Sequence, residues 1–142
     1  MHRFVLALIA VISMSFSLAA HAGQKWVEFH KGRAGTHYFH PQSVQKRYGN
    51  GGLIVEIEMF VNAPIEAPFY HHNGEFQSMK TTYWLHCEYP VVKSIERELY
   101  QHAFLRGRRG PADRPSNGKK WGKIKNGSPM DKLRETLCKN YL

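Results

Sequence analysis

Two stretches of strict alternation dominate the centre of this chain and commit it to a sheet with one buried face. From Leu53 to Val61 the odd positions are Leu53, Val55, Ile57, Met59 and Val61, while Glu56 and Glu58 occupy even ones. A period of two is the mark of a strand that buries one side. From Ser78 to Tyr89 the pattern returns: Met79, Thr81, Tyr83, Leu85, Cys87 and Tyr89 share one face, and Lys80, Thr82, His86 and Glu88 the other. Trp84 is the exception, an indole on the polar face. Cys87 is expected to point into the core.

Shorter strands are expected at Lys25–His30, Thr36–Phe39, Lys93–Phe104 and Trp121–Lys125, each near a glycine, a proline or a change of composition that would end it. Between the second and the long central strand, His40–Tyr48 reads as a single helical turn, and Gly49–Gly52 as a tight turn. The C-terminus changes period. Ser128, Pro129 and Asp131 make a helix start, with Ser at the N-cap, Pro at the first position and an acid three residues on. Met130, Leu133, Leu137 and Tyr141 then recur at spacings of three and four, giving one apolar stripe bordered by Cys138. The fold class that follows is α+β: an antiparallel sheet of about five or six strands with one C-terminal helix packed on a face. Two segments break this frame, Asn62–Gln77 with its His71-His72 pair, and Gly107–Gly118, which has nothing to bury and is expected to be a mobile loop.

The N-terminus sets the compartment. A short positive start (Met1-His2-Arg3) leads into an apolar run from Phe4 to Ile12, then small residues ending in Ala20-His21-Ala22. This is the pattern of a cleavable signal peptide, residues 1–22, with cleavage before Gly23. The apolar run is shorter than the roughly 20 residues needed to span a bilayer. No transmembrane segment is expected after cleavage, and residues 23–142 are enough for one domain. In an oxidising compartment the two cysteines, Cys87 and Cys138, most simply form one disulfide. Closing a loop of about 50 residues is worth about 4 kcal/mol on the chain-entropy view. The alternative, two free thiols with one reactive, has no histidine–cysteine motif to support it.

Charge is uneven. Without Arg3 the chain carries 19 Lys and Arg against 11 acids. Nearly all of that excess sits in one segment, where Arg106, Arg108, Arg109, Arg114, Lys119, Lys120, Lys123 and Lys125 face Asp113 alone. Such density attracts polyanions: sulfated glycans, lipopolysaccharide phosphates, acidic protein surfaces. Export makes nucleic acid an unexpected partner. Trp121, next to two of these lysines, reads equally as a contact residue or as a sheet residue under the helix. Catalysis has little to build on, since there is no Gly-x-Ser-x-Gly elbow, no glycine-rich phosphate loop and only two aspartates, Asp113 and Asp131. No enzyme activity and no cofactor are expected. His37, His40, His71 and His72, with His30 near the first pair, are the candidate ligands for a metal or a haem iron. No Cys, Asp or Glu is spaced to complete their set.

Several short pieces recur in a recognisable order. They are Trp26-Val27, the turn Tyr38-Phe39-His40-Pro41-Gln42-Ser43-Val44, Ser78-Met79-Lys80 running on to Leu85-His86-Cys87, a charged strand ending at Tyr100, Trp121-Gly122-Lys123-Ile124, Gly127-Ser128-Pro129 and Leu137-Cys138. As an ordered set they resemble the bacterial surface-adhesin protein E family across nearly the whole of residues 23–142. The resemblance implies a small antiparallel sheet with its terminal helix tied on by a disulfide. It also implies a surface protein that binds host extracellular-matrix or plasma proteins; with the leader, the expected place is the periplasm or the outer surface of a Gram-negative bacterium. His40 stands where that family usually has an acid, and there is no cysteine for a lipid anchor. The expectation is therefore an exported, non-enzymatic, adhesin-like protein that contacts anionic macromolecules through Arg106–Lys125. A second reading is a periplasmic envelope protein that binds a small ligand or partner, haem and metals included.

Overall fold

In a computed structural model of the chain, residues 26–49, 51–115 and 120–140 are described. The expected leader, Lys119 and Tyr141 lie outside them. The strands are β1 (Val27–Gly32), β2 (Gly35–Phe39), β3 (Gln45–Gly49), β4 (Gly52–Asn62), β5 (Phe69–His71), β6 (Gly74–Phe76), β7 (Ser78–His86), β8 (Val91–His102), β9 (Arg106–Arg109) and β10 (Gly122–Lys123), followed by helix α1 (Pro129–Asn140). Eight of these strands form one antiparallel sheet in the order β1-β2-β4-β7-β8-β10, with β3 also on β4 and β9 also on β8; β5 and β6 form a separate hairpin.

The sheet thus has more strands than the five or six expected, because two of its columns are broken strands. β2 pairs with Met59–Asn62 of β4 and β3 with Gly52–Glu56 of the same strand. Between them a 3-10 turn, Pro41–Ser43, lifts the chain away and sets it back. Ser43 holds that turn to the sheet: its hydroxyl donates to the His40 carbonyl at 2.7 Å and accepts from the Glu58 amide at 2.9 Å. The helical turn expected over His40–Tyr48 is therefore real only at its start, and Gln45–Gly49 is strand. Every residue of β3 is exposed, so no alternation marked it. The hairpin β5–β6 inside the expected loop Asn62–Gln77 escaped for a similar reason, being two strands of three residues.

The expected alternation holds on the helix face of β4 and β7, whereas Ile54, Phe60 and His86 on the other face, expected to be the polar one, are buried as well. Val55, Ile57, Met59 and Leu85 pack beneath Leu133 and Leu137 of α1, with Ile124 and Cys138 closing the cluster. Register keeps these rows aligned, with Val55 opposite Leu85, Ile57 opposite Tyr83 and Met59 opposite Thr81. The helix begins as its sequence dictates. Ser128 Oγ accepts from the Asp131 amide as the N-cap, and the Asp131 carboxylate reaches one residue past the cap to accept from the Gly127 amide. Cys87 and Cys138 are joined in a disulfide that ties the end of β7 to the last turn of α1. Beside it lies Arg134, a buried cation the sequence did not flag. Its guanidinium donates to Asp131 and to the carbonyls of His86 and Cys87. The Gly127 amide and Arg134 hold the Asp131 carboxyl below its usual value, and burial opposes them only in part.

Candidate binding surfaces

The described cations of 106–125 lie along an edge of the sheet. Arg106–Arg109 form β9, where Arg106 pairs with His102 and Arg109 with Tyr100. The chain then continues beside β8. The Gly110 amide donates to the Leu99 carbonyl, Arg97 and Asp113 exchange both backbone bonds, and Lys123 finally pairs with Val91. Residues 107–113 of the segment expected to hang free thus run along β8 as the outer column of the sheet, while 116–118 lie outside the described residues. Its glycines and prolines explain the discontinuity: a proline has no amide to donate to a ladder.

This path spreads the charge. From the position opposite His102 to the one opposite Val91 is eleven residues of β8, or about 35 Å at strand rise. Arg106, Arg108, Arg109, Arg114, Lys120, Lys123 and Lys125 are all exposed along that line. They are not equivalent. Arg109 leans toward Glu98 at 3.8 Å, and Arg108 bonds the Asn73 carbonyl and lies 5.9 Å from the Phe76 ring, so both serve the fold. Arg106, Arg114, Lys120 and Lys125 make no ion pair among the described residues.

The outer face of the sheet, turned away from α1, explains Trp84. Its indole N–H donates to Glu56 at 2.6 Å, and the same carboxylate oxygen accepts from Arg47 Nε at 2.7 Å. Arg47 and Lys93 each stand 5.5 Å from the Trp84 ring, a double cation–π arrangement. Farther along, Glu98 gathers Tyr100, Lys80 and Arg109. Burial raises the Tyr100 hydroxyl and the neighbouring carboxylate raises it further, to about 12.

At one corner of the same face Phe60 is nearly fully buried under aromatic rings that sequence reasoning had not grouped. Tyr38 stacks on it at 4.5 Å and Trp26 meets it edge-on at 4.7 Å. Phe104, half exposed, completes the cluster from the β8–β9 turn. Phe104 and Leu105 both have φ of 57°, a left-handed conformation that costs a non-glycine residue energy. Side chains hold them there: Asn62 accepts the Phe104 amide at 2.8 Å and Ser78 the Leu105 amide at 3.0 Å.

The histidines do not converge on one site. His37 is on β2, with its ring 5.6 Å from that of His30. Burial, and then His30, hold it below its ordinary value. His40 is buried against Trp26, and His71 and His72 touch at the β5–β6 hairpin. Among the described residues no group of three or more His, Cys, Asp or Glu is placed to hold a metal ion. Trp121 takes neither of its expected roles cleanly. It is half-buried at the wall of a cavity of about 670 Å³, with His86, Tyr89, Pro90 and Lys123 around it.

A disulfide-tied helix on one face of a sheet with broken outer columns is a fold with known relatives. The sequence profile of surface-adhesin protein E matches residues 26–139, and the chain belongs to that family. Crystal structures of Haemophilus influenzae protein E superimpose with a TM-score of 0.60 at 16% identity, covering 82% of this chain and 85% of that one. A second crystal form gives 0.59 at the same identity, covering 88% of that chain. At that identity the likeness speaks for the fold. Comparison with curated proteins found no match. Membership of a surface-adhesin family makes this an exported protein, and no helix among the described residues is long and apolar enough to cross a membrane.

Proposed function

We propose that the chain is an adhesin-type binding protein without enzymatic activity, that residues 1–22 are removed on export, and that residues 23–142 act as one domain. Its contact surface is the basic edge from Arg106 to Lys125, and its partner is an anionic macromolecule of the host: a matrix or plasma protein, or a sulfated glycan. The observation that carries this reading is the spread of cations along about 35 Å of one sheet edge. A line of charge suits an extended polyanion better than a compact anion. The test is binding of the mature protein to immobilised heparin and to matrix glycoproteins across a salt series. Affinity is expected to fall steeply with salt. It should be lost in the variant carrying Arg106→Gln, Arg114→Gln, Lys120→Gln and Lys125→Gln, whose side chains make no ion pair among the described residues. Binding by that variant at wild-type strength would remove the edge from consideration.

The cavity beside Trp121 favours a second reading, a small ligand bound within the envelope. At about 670 Å³ with aromatic walls it lies within the size range of small-molecule sites. Protease treatment of intact cells separates the two. Cleavage on intact cells supports the adhesin, and protection until the outer membrane is permeabilised supports the envelope ligand.

A further inference from the structure

The sequence holds five methionines: Met1, Met14, Met59, Met79 and Met130. The first two fall in the expected leader. The other three come from β4, β7 and the first turn of α1, yet all of them line one small cavity of about 120 Å³ together with His37. Register explains how they meet. His37 pairs with Val61, and Val61 pairs with Met79, so these three side chains stand in one row on the helix face. His37 and Met79 flank Val61, two strand spacings or about 10 Å apart at the backbone. Met59 stands in the next row, opposite Phe39 on one side and Thr81 on the other. Met130 comes down from the helix. Long side chains from four elements therefore converge above Val61.

We propose that Met59, Met79, Met130 and His37 form a binding site for copper(I). Thioether sulfur is a soft donor that selects copper(I) over zinc, calcium or magnesium, and imidazole serves copper as well. All four donors are neutral, so a monovalent ion in this apolar cavity would bring a single charge. The surroundings, Phe60, Val61, Thr81 and Tyr83, add no carboxylate that would favour a hard divalent ion. The two cysteines, the stronger soft ligands, are locked in their disulfide and do not compete. His30, with its ring 5.6 Å from that of His37, lies on the next strand as a further imidazole beside the site. Methionine also fills gaps in cores for packing alone, and the experiment must tell the two roles apart.

The mature protein is titrated with copper(I) under a competing chromogenic chelator, and in parallel with silver(I), a redox-inert stand-in, while its methionine methyl resonances are recorded. One equivalent is expected to bind and to shift all three methyl signals together. Met79→Leu and His37→Gln should each weaken binding at least tenfold. The triple variant Met59→Leu, Met79→Leu, Met130→Leu keeps volume and apolarity, so it should fold and bind no metal at this site. Two results would overturn the proposal: no removal of copper(I) from the chelator by the wild type, or unchanged binding by the folded triple variant. Copper binding abolished instead by His71→Gln with His72→Gln would equally move the site to the hairpin and refute this one.

Discussion

The two faces of the β4–β7 pair are made from the same strands and obey different rules. On the inner face Val55, Ile57 and Leu85 are fully buried against α1, and their order follows from apolar area removed from water. On the outer face Glu56, Trp84 and Lys80 are only half-buried and are ordered by directional contacts: a shared carboxylate oxygen, a ring between two cations, a lysine between two glutamates. Burial is worth kilocalories per side chain, whereas a half-exposed ion pair is worth a fraction of one. The inner face should therefore carry the stability, leaving the outer face and edges open to other uses.

The disulfide is where that division can be broken most severely. Replacing Cys87 and Cys138 by serine should cost about 4 kcal/mol, read as a lower denaturation midpoint. A much smaller loss would mean that packing alone holds α1. Leu137→Ala on the inner face should cost about 3 kcal/mol through the cavity it leaves, in the same measurement. On the outer face, Trp84→Ala removes a larger side chain and should cost only about 1 kcal/mol. If it matched Leu137→Ala, the faces would not differ as described.

Acid supplies a smaller probe. Burial pushes the Glu98 carboxyl up, but the Tyr100 hydroxyl, Lys80 and Arg109 outweigh it and hold it below its usual 4.5. The folded protein thus binds this proton more weakly than the unfolded chain. The stabilisation is complete above about pH 4.5 and is lost as pH falls through the lowered folded value. Tyr100→Phe should flatten that part of the acid unfolding curve and leave the neutral region nearly unchanged. The smallest effect is expected from the four-cation edge variant, within about 0.5 kcal/mol of wild type in stability. A large loss there would make the basic edge a structural element first.

Legibility followed burial. β4 and β7 were readable because a half-buried strand must alternate, and α1 because its cap and its stripe are local patterns. β3 and β9 are exposed throughout, so nothing in their composition separates strand from loop, and the sheet was undercounted. The basic segment was visible as charge, but its course along β8 depends on backbone bonds to Leu99, Arg97 and Val91, partners a linear reading cannot select. Trp84 looked misplaced because its cations come from other strands, Lys93 from the adjacent β8 and Arg47 from β3 on the far side of β4.

The sequence by itself determined the alternating strands, the capped terminal helix, the paired cysteines and the family, all of them properties of neighbouring residues or of their order. Only the tertiary structure decided that a glycine- and arginine-rich segment is a sheet edge, that Arg134 is buried beside the disulfide, and that three methionines and a histidine share one cavity. Those facts depend on which strand lies beside which. Register brings together residues dozens of positions apart, and no local pattern in the chain encodes it.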